Sequence, residues 1–103
     1  MVNDLKINES FYQNHIDVLK KTFGFSSFKE GQQEIIKSIV DQNNILAVMP
    51  TGYGKSLCYQ FPAIIQKNIT IVVSPLIALM NDQVSYLKDI GVKAETYNSE
   101  KNF

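Results

Sequence analysis

The sequence predicts an α/β unit with a parallel sheet, and three observations predict it. The apolar runs and helical patterns alternate along the chain in the order helix, helix, strand, helix, strand, helix, strand, which calls for right-handed crossovers between parallel strands. The runs "ILAVM" and "ITIVV" are compact, apolar and partly β-branched, as suits strands covered on both faces. A glycine-rich turn follows the first of them, and a helical stretch follows that turn.

Each element has its own signal. From Ser10 to Phe23, the apolar positions Phe11, Ile16, Leu19 and Phe23 fall near helical spacing, with Ser10 available as a cap and Gly24 as a stop. A short aromatic linker, "GFSSFKEG", leads to a second helix with Ile35, Ile36, Ile39 and Val40 on one face, ended by Asn43 and Asn44. Ile45 to Met49 is the first strand. A helix starts near Gly54 and carries Leu57, Cys58 and Tyr59, and Pro62 is expected to kink or restart it because proline has no N–H to donate. Ile69 to Val73 is the second strand. A helix over Leu76 to Ile90 turns Leu76, Leu79, Met80, Val84 and Leu87 toward the core and ends at Gly91; Ala94 to Tyr97 begins a third strand. A sheet of about three strands is smaller than the usual five or six, so residues 1–103 are expected to form the first half of a larger domain.

The 103 residues are 45% apolar and 19% charged, the balance of a folded, soluble segment. No apolar run approaches the roughly 20 residues that span a bilayer, and the start "MVNDLKINES" is unlike a signal peptide. An intracellular protein is expected, cytoplasmic or nucleoid-associated in a bacterium, nuclear in a eukaryote, with no membrane partner. The lone Cys58 has no disulfide partner and no ligand cluster, so it reads as helix packing in a reducing compartment. Ten basic residues cancel ten acidic ones, so any nucleic-acid contact is local; all ten bases are lysines, and an arginine finger would have to come from outside these residues.

The most informative stretch is "MPTGYGKS", Met49 to Ser56. Glycines at 52 and 54 remove the Cβ atoms that would block backbone N–H groups from turning toward phosphate oxygens, and the following helix adds its positive dipole end. Lys55 would neutralise the β and γ phosphates of a nucleotide, and Ser56 would offer its hydroxyl to Mg²⁺. Tyr53 matters for its backbone N–H more than its ring. The bland alternative is a glycine-rich turn with a solvated lysine, which the strand and helix context disfavours. Met49 stands where the strict form of such a loop begins with glycine.

That departure is itself a clue. "MPTGYGKSLCYQFPA" followed by "VVSPLIALMNDQV" resembles motifs I and Ia of the RecQ-family DNA helicases of superfamily 2, in which methionine at the position of Met49 is common; "FGFSSFKEGQQEII" resembles that family's motif 0. The resemblance covers roughly residues 10 to 100 and implies the first half of a RecA-like P-loop domain, preceded by two N-terminal helices. It also implies an adenine pocket in which Gln32 pairs with the base edge, Phe25 stacks on the ring where the family often has tyrosine, and Lys29 replaces the usual arginine. With Met49, Pro50, Thr51, Gly52, Tyr53, Gly54, Lys55 and Ser56, these residues would hold ATP and, through Ser56, Mg²⁺. Motif Ia implies contact of Ser74, Pro75 and Leu76 with single-stranded or partly duplex DNA, although Ala78 stands where the family often has serine. A hydrophobic staple is the competing reading of the phenylalanines, stronger for Phe23 and Phe28 than for Phe25. His15 reads as packing or surface.

The expected function is that of an N-terminal fragment of an ATP-dependent RecQ-type DNA helicase, an ATP hydrolase for which the family implies 3′ to 5′ unwinding in recombination and repair. Hydrolysis also needs an acidic motif after a later strand, and none of the ten acids forms an adjacent pair after an apolar strand. Lys55 is the catalytic candidate of the intact enzyme, and the fragment alone is expected to be inactive. A non-catalytic module binding ATP or nucleic acid, or another superfamily 2 translocase acting on RNA, remains open on the residues alone.

Overall fold

A computed structural model describes residues 2–50, 54–66 and 68–97 of the chain. The chain divides into two compact units, Met1–Ile69 and Thr70–Phe103.

In the first unit, helix α1 spans Val2–Val18 and runs directly into a π-helical turn, Leu19–Phe23. Ser10 therefore lies inside the helix, not at its N-cap. The residues before it contain no proline or glycine to stop the helix, so the chain continues helical on its N-terminal side. The C-terminal end is where the sequence puts it: Gly24 adopts φ 76°, and its N–H bonds back to the carbonyls of Leu19 and Lys20. Only a residue without a Cβ takes that left-handed conformation cheaply. The wider π turn brings both Leu19 and Phe23 into the interior.

Helix α2, Gln32–Val40, starts after Gly31 and stops at Asp41, before the asparagines expected to end it. Gln42 has a φ of 66° and donates its N–H to Ile39, so the reversal is complete one residue ahead of Asn43. Lys37 and Asp41 form an ion pair across the last turn. Helix α3 is Leu57–Gln66, unbroken across Pro62. The proline costs one backbone hydrogen bond, but its ring is fully buried, and that packing offsets the loss.

The core of this unit is Phe11, Leu19, Phe23, Ile36, Leu57, Cys58 and Phe61. Phe61 lies at its centre, with ring centroids of Phe28, Phe23 and His15 at 5.2, 6.0 and 6.3 Å. His15 also meets Phe11 at 4.6 Å, so it serves packing, and its burial holds the imidazole pKa below the ordinary value.

The sheet is the part of the architecture that the described residues do not display. Ile45–Met49, Ile69–Val73 and Ala94–Tyr97 carry no strand pairing, and the first two leave Leu46 90% and Ile69 94% exposed. A strand is held by the ladder bonds of its neighbours and by what covers its faces, and a short apolar run has neither by itself.

In the second unit, helix α4 is Ile77–Asp89, within a residue of its expected bounds. Its C-terminal end closes by a Schellman motif: Val92 donates to the Leu87 carbonyl, Gly91 donates to Lys88, and Gly91 has φ 89°. None of its residues is buried, so the expected core face of Leu79, Met80, Val84 and Leu87 is present as a pattern without a covering layer. Leu76 caps the helix in extended conformation and is itself exposed.

Candidate functional site

The sequence places Gln32 and Gly54 in different motifs; the fold brings them into contact. Gln32 is the first residue of α2 and only 3% exposed. Its Oε1 accepts the Lys29 N–H at 2.7 Å, and its Nε2 donates to the Gly54 carbonyl at 3.1 Å. Burial of a carboxamide requires such partners. These two bonds use one of the two amide hydrogens and one of the lone pairs, leaving the second of each.

Gly54 has φ 84°, and a Cβ built on it would collide with Gln32 Nε2. Glycine is needed there twice over, for the left-handed backbone and for the close approach of the side chain. Cys58, the second residue of α3, lies under the same carbonyl with Sγ 3.9 Å from Gly54 O, and also 3.9 Å from Met49 Sδ. The two residues flanking the glycine-rich turn, one before it and one after it, thus meet through their sulfur atoms. Burial pushes the Cys58 thiol up, which keeps it protonated and unreactive.

Lys55 is exposed, and α3 begins two residues later. Cys58 N–H bonds to the Lys55 carbonyl at 3.1 Å, and Gln60 N–H bonds to Ser56 at 2.9 Å, so the turn feeds straight into the helix. The earlier N–H groups of such a helix have no carbonyl ahead of them in the spiral. Together with an exposed lysine they suit an anion. Thr51, Gly52 and Tyr53 lie outside the described residues; Pro50 is exposed and Met49 half-buried.

The phenylalanines divide. Phe23 and Phe28 join the aromatic core around Phe61, and Tyr12 meets the Phe28 ring edge-on at 6.3 Å. Phe25 is 47% exposed, leaving its ring accessible, and Lys29, three residues ahead of α2, is exposed too.

Ser74, Pro75 and Leu76 belong to the second unit. Ser74 Oγ accepts the Leu76 N–H at 3.2 Å, which shapes the entry to α4 and leaves the hydroxyl hydrogen outside that bond. Pro75 and Leu76 are exposed. Among the described residues, no group of three or more His, Cys, Asp or Glu could hold a metal ion, and no helix is long and apolar enough to cross a membrane.

Sequence reasoning missed the Gln32–Gly54 hydrogen bond and the Cys58 contacts. The available signal was chemical: a glutamine at the buried start of a helix must find a donor and an acceptor, and a backbone carbonyl in a glycine turn is an accessible one.

The DEAD/DEAH box helicase family matches residues 29–101, which include both the glutamine and the glycine-rich turn. "ATP-dependent DNA helicase RecQ" of Haemophilus influenzae is 48% identical over 86 residues, 84% of this chain and 14% of the relative. "ATP-dependent DNA helicase Q5" of Rattus norvegicus is 52% identical over 84 residues, 80% of this chain and 9% of that protein. "Probable ATP-dependent DNA helicase RecS" of Bacillus subtilis is 46% identical over 98 residues, 94% of this chain and 18% of that protein. The chain therefore spans less than one fifth of the length of each of these relatives.

Proposed function

The chain belongs to the DEAD/DEAH box helicase family, and from that premise we propose that it is the ATP-gripping, N-terminal part of a RecQ-type DNA helicase that unwinds DNA 3′ to 5′ at the expense of ATP. The observation that carries this reading is the approach of Gln32 to Gly54 across 22 positions of sequence. It joins the motif 0 segment to the phosphate loop, as a site for a whole nucleotide requires.

The residues present fit such a ligand. The left-handed Gly54 leaves out a Cβ where the loop needs space, Lys55 is exposed beside it, and α3 starts immediately afterwards. Lys55 would neutralise the outer phosphates, and the backbone N–H groups of residues 52 to 56 would bind their oxygens. Mg²⁺ would take the Ser56 hydroxyl and supply charge neutralisation on the phosphates. Phe25 would stack on adenine, with Lys29 beside it. Gln32 would read the base edge with the amide hydrogen and lone pair that the Lys29 and Gly54 bonds do not use.

Ser74, whose hydroxyl hydrogen the Leu76 bond does not use, Pro75 and Leu76 would meet a DNA phosphate at the start of α4. The extended apolar runs 45–49 and 69–73 would become parallel strands of a RecA-like sheet once paired and covered. Such a protein acts on DNA inside the cell. The acidic motif and the arginine finger that complete hydrolysis would come from residues other than these, and residues 1–103 alone would not turn over ATP.

The test is Lys55→Ala in the intact gene product. DNA-stimulated ATPase is expected to fall by about a hundredfold or more, the scale of removing one preorganised charge-stabilising group, with the fold retained by circular dichroism. Full activity in that variant would remove Lys55 from the phosphate site. Unwinding assayed on DNA and RNA duplexes in parallel decides the substrate.

A further inference from the structure

The peptide between Gly54 and Lys55 is trans, as are all the described peptide bonds. In a trans peptide the carbonyl of one residue and the N–H of the next point in opposite directions. The Gly54 carbonyl is held on one side by Gln32 Nε2 at 3.1 Å, with Cys58 Sγ at 3.9 Å. Fixing that carbonyl fixes the Lys55 N–H to face away from both side chains, on the side opposite Gln32.

We propose that Gln32, with Cys58 packed behind it, is a positioning residue for the phosphate loop: by holding the Gly54 carbonyl it aims the Lys55 N–H at the triphosphate, and so sets affinity for phosphate whether or not a base is present. The inference rests on the phosphate-loop reading above and goes beyond the adenine role of Gln32. Three features support it. Gln32 Oε1 is tied to the Lys29 N–H at 2.7 Å, so the carboxamide cannot rotate away without losing a second bond. The side chain is almost fully buried, so water does not compete for the donor. Gly54 offers no Cβ to keep the amide at a distance. Cys58 adds little energy as a donor, but its buried thiol contacts the same carbonyl oxygen, and Met49 in turn contacts the thiol.

The decisive ligand is one without a base. Binding of Mg²⁺-tripolyphosphate and of Mg²⁺-ATP would be measured by calorimetry on the intact gene product, as wild type, Gln32→Glu, Gln32→Met, Cys58→Ala and Lys55→Ala. Loss of one hydrogen bond that organises the loop should weaken tripolyphosphate about threefold to tenfold in both Gln32 variants. Cys58→Ala should have a smaller effect in the same direction. Gln32→Glu carries its own control: protonation at about pH 5 restores a donor on the side chain, so its deficit relative to wild type at the same pH should shrink, whereas that of Gln32→Met should not. Melting curves confirm folding, and the near-isosteric pair keeps the comparison interpretable if one variant is unstable.

If both Gln32 variants lose ATP affinity while tripolyphosphate binds as in wild type, Gln32 acts on the base alone and the proposal is wrong, with the phosphate loop intact. If Lys55→Ala binds tripolyphosphate as well as wild type does, or wild type binds none, the loop reading itself fails and takes the proposal with it.

Discussion

The rings of Phe28 and Phe61 meet edge to face with their centroids 5.2 Å apart, so the linker ahead of α2 packs directly on α3, the helix that follows the glycine-rich turn. The segment carrying Gln32 and the helix after the glycine-rich turn thus share one aromatic core. Phe61 is completely buried, and Phe61→Ala should cost about 3–5 kcal/mol, read from urea unfolding. Phe28 is half-buried, and its truncation should cost less. A Phe61→Ala protein as stable as wild type would contradict the shared core.

His15 lies against Phe11 and Phe61, and burial lowers its pKa from 6.5. The unfolded chain therefore binds the proton more tightly than the folded one. The contribution of neutral His15 is complete above the unfolded value and is lost as pH falls from there through the lower, folded value. Stability measured by thermal melting should decline over that acidic window, and His15→Leu should remove this part of the decline. An unchanged profile in the variant would assign the decline to other groups.

Gly24 and Gly54 share a left-handed backbone, at φ 76° and 84°, but a Cβ on Gly24 would meet nothing within 4 Å whereas one on Gly54 would strike Gln32. Gly24→Ala should cost about 1–2 kcal/mol from the backbone alone. Gly54→Ala should cost more, and should also weaken Mg²⁺-tripolyphosphate. Equal melting temperatures for the two variants would show that the Gln32 contact adds nothing.

Amide hydrogen exchange tests the apolar runs. In residues 1–103 alone, the amides of 45–48 and 69–73 should exchange near the rate of an unstructured peptide, while those of Ile36 and Phe61 should be protected. Protection of 69–73 would mean that a ladder forms without further strands.

Helix positions were legible because periodicity and glycine stops are local. Gly24 and Gly91 end their helices as the sequence indicates, through left-handed caps whose geometry only a few neighbouring residues decide. The start of α1 was not legible, because Ser10 is a competent cap that nothing forces into use once the preceding residues are helical. A helix following "GYGKS" could be read from the sequence, and the different exposures of Phe25 and Phe28 agree with the distinction drawn between them. The Gln32–Gly54 contact was not legible, since it joins residues 22 positions apart and depends on how α2 packs on α3. The apolar runs were recognisable as strand material by composition, but a ladder is a property of partners, and composition does not contain them.

Ile69 to Val73 is an unbroken run of β-branched residues with no charge and no proline, and the structure leaves most of it exposed. Such a run is also a template for self-association, since identical segments from separate molecules can stack in register. Synthesis proceeds at about 5–20 residues per second, so during translation this run stays open to pairing with a neighbour's copy for as long as nothing covers it. A holdase that recognises bare β-branched segments would shield it during that interval, and overexpression would lengthen the exposure by crowding many nascent copies together.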